Sequence, residues 1–133
     1  MYSITVRNNI LIAHSLPGDV FGPAQNMHGA TYIVDAEFFS ENVNQYNIIM
    51  DLGVVTNILA EVLKFYSYKN LDEVDEFKDI ITSTEFLAKD IYDRICNRLK
   101  KDFNEDYQTL HKLKITLTES NVAWASFEKE IDK

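Results

Sequence analysis

Alternation of apolar and polar positions first appears in SITVRNNILIAH, residues 3–14. Ile10, Ile12 and His14 share one face at a spacing of two, with Leu11 and Ala13 on the other. This predicts a strand, which SLPGDVFGPAQNM, residues 15–27, breaks as a loop. HGATYIVDAEFF, residues 28–39, resumes the alternation. Ala30, Tyr32, Val34, Ala36 and Phe38 face one way and Thr31, Asp35 and Glu37 the other, as in a strand with one buried and one wetter side. After the polar turn SENVNQYN, IIMDLG leads into a helix in which Val55, Ile58, Leu59, Val62, Leu63 and Tyr66 recur at helical spacing. Asp51 precedes its first turn, where a carboxylate can accept from unpaired amides.

A second helix is predicted from TSTE, residues 82–85, whose Thr82-x-x-Glu85 spacing is that of a capping box. Leu87, Ile91 and Ile95 mark its stripe, flanked by Ala88, Tyr92 and Leu99, and it ends near KKDF. HKLKITLTES, residues 111–120, returns to period two. It sets Leu113, Ile115, Leu117 and Glu119 against Lys112, Lys114, Thr116 and Thr118, and a short strand follows at AWASFEK. The order β-β-α-α-β-β predicts an α+β fold, an antiparallel four-stranded sheet with two helices on one face. Such a sheet has two edges of unpaired backbone groups. Joining the sheets of identical chains into a barrel would remove those edges and place any site where subunits meet.

Composition narrows the partners. The 133 residues, 46% of them apolar, suffice for a single domain, 1–133, with one modest core. Thirteen basic against twenty-one acidic residues give a net charge of −8, which repels phosphate backbones and anionic lipids. No nucleic acid and no membrane is therefore expected as a partner. The chain has no apolar run of about eighteen residues, and MYSITVRNNILIAHSLPGDV lacks the charged-then-apolar order of a leader. A cytoplasmic protein is expected. The only cysteine, Cys96, excludes an internal disulfide and fits a reducing compartment.

In this element order, LIAHSLP, HGATYIV, IIMDLG, KNLDE, TSTEFLA and TLTESNVAWASF resemble the 6-pyruvoyl-tetrahydropterin synthase family, which includes the 6-carboxytetrahydropterin synthases of the queuosine pathway. The resemblance covers nearly the whole chain. It implies the tunnelling fold (T-fold), homo-oligomers whose sheets join into a barrel, a pterin bound at a subunit interface, and zinc held by three histidines.

On that resemblance, His14 and His28 are two of the zinc ligands, and the second histidine of the family's His-Gly-His motif is replaced by Ala30. Residues two apart on a strand point the same way, so Ala30 has the direction of a ligand without a donor atom. A catalytic zinc usually takes three protein ligands and keeps one open position. The candidates for a third donor are Asp19, His111 and a neighbouring subunit. The family's cysteine, four residues before the motif, falls on Ala24, and its Asp-His pair falls on Ser67 and Tyr68. The family's cysteine mechanism is therefore not expected. Cys96 reads as a small core residue of the second helix.

The resemblance makes Glu119 the pterin anchor. A 2-amino-4-oxo-pyrimidine ring presents two parallel N–H donors, which one carboxylate accepts as a fork. Guanine and urate-like rings offer a comparable edge. Each feature also has a purely structural account: satisfied strand histidines, Glu119 paired with a lysine, Asp51 and Glu85 as helix-start residues, Tyr68 on the surface, and LDEVDEF as a solvated loop face. Three functions remain open: a pterin-processing lyase driven by other groups, such as Tyr68 or a metal-bound water; a pterin- or purine-binding protein without turnover; and a ring with a structural role.

Overall fold

β1 (Tyr2–His14) and β2 (His28–Ser40) form one antiparallel ladder that runs from the pair Tyr2 and Ser40 at one end to His14 and His28 at the other. The computed structural model describes residues 1–133. Beyond β2 lies β4 (Lys112–Ser120), and beyond that β5 (Ala123–Glu130), both pairings antiparallel. On the other side β3 (Lys69–Asn70) pairs with β1 in parallel, at Ile12 and Ala13. The sheet order is β3-β1-β2-β4-β5, five strands where four were expected. Two residues are too short a segment for a period-two pattern, so nothing in the sequence marked β3.

The helices cover one face. α1 (Leu52–Leu63) buries Val55, Ile58, Leu59 and Leu63, and Asp51 caps it as expected, its carboxylate accepting from the amide of Val54 at 3.0 Å. Tyr66 is fully buried just past the helix end. α2 (Thr84–Asp102) buries Leu87, Ala88, Ile91, Tyr92, Ile95 and Leu99. Its N-cap is Ser83, whose hydroxyl accepts from the amide of Phe86 at 3.1 Å, one residue later than the expected Thr82–Glu85 box. The shift has a physical cause: the Thr82 hydroxyl is buried at the ring of His14. A further short helix, α3 (Asn104–Thr109), follows α2 and buries Tyr107.

These helices and the inward positions of the strands, Ile10, Ile12, Tyr32, Val34, Ala36, Phe38, Leu113, Ile115 and Leu117, make one core. The opposite face of the sheet is polar, with an Arg7–Asp35 fork (2.7 and 3.0 Å) and a Lys112–Glu128 pair at 2.8 Å. The acidic stretch LDEVDEF is a pair of 3-10 turns and not a plain solvated face. Leu71 and Phe77 are buried, and Asp72 accepts from the amide and hydroxyl of Ser15. No helix is long and apolar enough to cross a membrane.

Candidate functional site

The end of the sheet marked by His14 and His28 gathers most of the chemistry. Strand pairing makes the two histidines direct cross-strand neighbours, and their rings meet edge to face with centroids 4.6 Å apart. His14 is 1% exposed and its Nδ1 lies 3.0 Å from the Thr82 hydroxyl oxygen. Burial, helped by the neighbouring His28, pushes the His14 imidazole below its ordinary pKa, against a smaller opposing pull from Asp72 and Thr82. His28 is half-buried, and its Nδ1 lies 2.9 Å from the carbonyl of Asn26. A carbonyl only accepts, so in that contact Nδ1 carries a proton and donates it, which leaves Nε2 as the nitrogen that could meet a ligand.

Two imidazoles with their other nitrogen held are the beginnings of a metal site. The third donor is missing. Ala30 follows on the same inward face, opposite Ile12, and packs half-buried against the core. His111 cannot serve within one chain: its amide donates to the carbonyl of Phe39, at the far end of the β1–β2 ladder. Asp19 lies in the 3-10 turns over Asp19–Gln25, and Asp72 is already held by Ser15. No group of three or more His, Cys, Asp or Glu side chains is arranged to hold a metal ion. The donor set of the chain thus does not fit a three-histidine zinc site.

Farther along the same face comes Tyr32, buried, with its hydroxyl 3.3 Å from that of Thr84 at the start of α2. Its phenol is raised above the ordinary tyrosine range, first by burial; the negative charges of Glu119 and Glu85 add to the rise, against the Thr84 hydrogen bond. Glu85 follows Thr84, whose hydroxyl meets that of Tyr32, and Glu119 follows Thr118, the β4 partner of Ile33, so both glutamates belong to the neighbourhood of Tyr32. Glu85 sits in the first turn of α2, where the helix dipole favours an anion.

Glu119 owes its position to a bulge. Thr118 pairs with Trp124 and Ser120 with Ala123, so Glu119 is an extra residue with no partner on β5. Bulges of this kind re-aim a side chain and interrupt pairing near functional sites. The residue is exposed and takes part in none of the chain's nine ion pairs, so no lysine claims its carboxylate. Both oxygens are available to a ligand.

The other expected positions are equally definite. Ala24 lies half-buried in the loop before β2, its carbonyl accepting from the amide of Leu16 at 3.0 Å. Ser67 and Tyr68 fall in the turn before β3, where Tyr68 has φ 61° and is 84% exposed. The Tyr68 amide donates to the carbonyl of Leu11, three residues before His14. Cys96 lies on α2 with its thiol pushed up to about 11, chiefly by burial.

The whole chain can be placed among known proteins. Residues 3–130 match the family model described as 6-pyruvoyl tetrahydropterin synthase. The chain belongs to this family. A Dictyostelium discoideum 6-pyruvoyl tetrahydrobiopterin synthase is 32% identical over 104 residues, 77% of this chain and 72% of that protein. The fold is also that of the Caenorhabditis elegans 6-pyruvoyl tetrahydropterin synthase, with TM-score 0.80, 19% identity, and 96% and 95% of the two chains covered. A Plasmodium vivax synthase with a catalytic glutamate changed to cysteine superposes with TM-score 0.78 at 16% identity, 98% of each chain being covered. Family membership thus accounts for the α+β T-fold, five-stranded here, and for the element order.

The sequence had indicated His14, His28 and Glu119, and the fold brings all three to one end of the sheet. Thr82, Thr84, Tyr32 and Glu85 went unnoticed as site residues. Thr82 and Glu85 read as a helix start, Tyr32 reads as an inward strand position, and no pattern singles out Thr84.

Proposed function

We propose that this member of the family binds a pterin-type ring at the Glu119 end of its sheet and does not run the family's cysteine chemistry. The observation that carries the reading is the bulge at β4–β5, which leaves Glu119 exposed, without an ion-pair partner, and beside Tyr32 and the N-terminus of α2. A carboxylate so placed accepts both N–H groups of a 2-amino-4-oxo-pyrimidine edge. Charge-assisted pairs of this kind are the stronger class of hydrogen bond and fix orientation as well.

Ala24 offers no thiolate to remove a carbon-bound proton, and Ser67 and Tyr68 offer no carboxylate–imidazole pair to tune one. No step is assigned to a metal.

The assembly implied is a homo-oligomer joined through sheet edges. β3 covers β1 only at Ile12 and Ala13, and the β4–β5 turn and the start of β5 carry Val122 and Trp124, 80% and 65% exposed. Unpaired edges with exposed aromatic and aliphatic side chains are surfaces that a second copy can pair and bury.

Titration of the intact protein with a reduced pterin, followed by calorimetry, tests the reading. Binding is expected, weakened at least tenfold by Glu119→Gln with no change in thermal stability. Equal binding by both proteins would sink the anchor. Family-like turnover of dihydroneopterin triphosphate would sink the second half of the proposal.

A further inference from the structure

We infer that the His14–His28 pair is a metal-free clasp in this chain, and that the site stands one imidazole short of holding zinc as a resident ion, the vacant donor position being Ala30. Each ring is accounted for without a metal. His14 is buried against the Thr82 hydroxyl and so ties the end of β1 to the segment that starts α2, while His28 is fixed by the Asn26 carbonyl. The edge-to-face contact between the rings closes the mouth of the β1–β2 ladder. These contacts join three separate parts of the chain, which is reason enough for two histidines at the end of a sheet.

The shortfall is local and specific. Ala30 sits two residues after His28 on the same inward face, so a side chain there projects in the same direction as the His28 ring. The carboxylate whose charge reaches His14, that of Asp72, spends its oxygens on the amide and hydroxyl of Ser15, the latter at 2.5 Å. Imidazole is a good zinc donor and methyl is none, so one substitution separates a clasp from a metal centre. The inference does not depend on what Glu119 holds.

Zinc titration against a competing chelator decides it, on intact untagged wild-type protein, on Ala30→His and on His28→Ala. Loss of a group merely hydrogen-bonded to a ligand lowers metal affinity by about 10–100-fold. A gained ligand is therefore expected to make Ala30→His bind zinc at least about 100-fold more tightly than wild type. Melting of the wild type should be indifferent to EDTA, and melting of Ala30→His should rise with zinc. Wild-type protein that carries one tightly held zinc per chain, lost in His28→Ala, would overturn the inference and place a donor across a subunit boundary. A folded Ala30→His with no gain would overturn the assignment of the vacant position. Should Ala30→His fail to fold, wild type and His28→Ala decide between them: equally weak zinc binding supports the clasp, and a large difference refutes it.

Discussion

The Nδ1 of His14 and the hydroxyl oxygen of Thr82 lie 3.0 Å apart across 68 residues of sequence, and both side chains are buried. This bond joins the last residue of β1 to the residue before the cap of α2. Leaving a buried polar atom unsatisfied costs about 1–3 kcal/mol, more than the net gain from a typical hydrogen bond. Thr82→Val, which keeps the shape and removes the hydroxyl, should destabilise the protein by about that much in urea unfolding. Thr82→Ser should retain most of the stability.

The cap of α2 follows from the same bond. With Thr82 committed to His14, the first amides of the helix depend on Ser83. Ser83→Ala should cost about 1 kcal/mol, the usual value of a serine cap. Glu85→Ala, which a Thr82–Glu85 capping box would make comparably harmful, should change stability by no more than about 0.5 kcal/mol. Equilibrium unfolding of the two variants side by side separates these arrangements.

These two residues also show where the sequence was and was not legible. The strands and the helix stripes could be read because burial imposes a period, and Ile10, Tyr32, Ile58, Ile91 and Leu117 are all buried on the faces their spacing indicated. Asp51 was legible as a cap because its one contact is local. Thr82 was not, since a threonine three residues before a glutamate satisfies the local rule equally well whether or not a distant histidine takes its hydroxyl. β3 escaped for a similar reason: two residues have no period. At the site, the inward direction of Glu119 was evident from Leu113, Ile115 and Leu117. The bulge that exposes it depends on β5 register, which no short-range pattern specifies.

Cys96 tests whether a thiol elsewhere in the chain could replace the absent one at Ala24. Burial is the main force raising its pKa to about 11, so at pH 8 only about one molecule in a thousand carries the thiolate. A raised pKa means the anion, and reactivity with it, grows only as pH climbs towards 11. Alkylation of the native protein by iodoacetamide at pH 8 should accordingly be slower than that of the urea-unfolded chain by about two orders of magnitude, as followed by mass spectrometry. Equal rates would mean that Cys96 is an accessible nucleophile.

Tyr66 and Asp90 form a second polar pair in which the two partners are not equivalent. The Tyr66 hydroxyl donates to Asp90 at 2.5 Å, and the Asp90 carboxylate also accepts from Nε of Arg94 at 2.9 Å. Arg94 in turn lies 3.7 Å over the Phe65 ring and pairs with Glu76 at 2.8 Å. Removing the hydroxyl leaves the carboxylate with its arginine, so Tyr66→Phe should cost only about 0.5–1.5 kcal/mol. Removing the carboxylate strands a buried phenol whose burial already disfavours ionisation, and loosens the guanidinium that stacks on Phe65. Asp90→Ala should therefore cost about 2–3 kcal/mol, combining an unsatisfied buried donor with the lost ion pair. The double variant closes the cycle. A coupling energy near zero would mean that the hydroxyl and the carboxylate act independently. A double variant clearly less destabilised than the sum of the two singles, with Tyr66→Phe silent or stabilising in the Asp90→Ala background because it removes the stranded hydroxyl, is the outcome that the shared carboxylate requires.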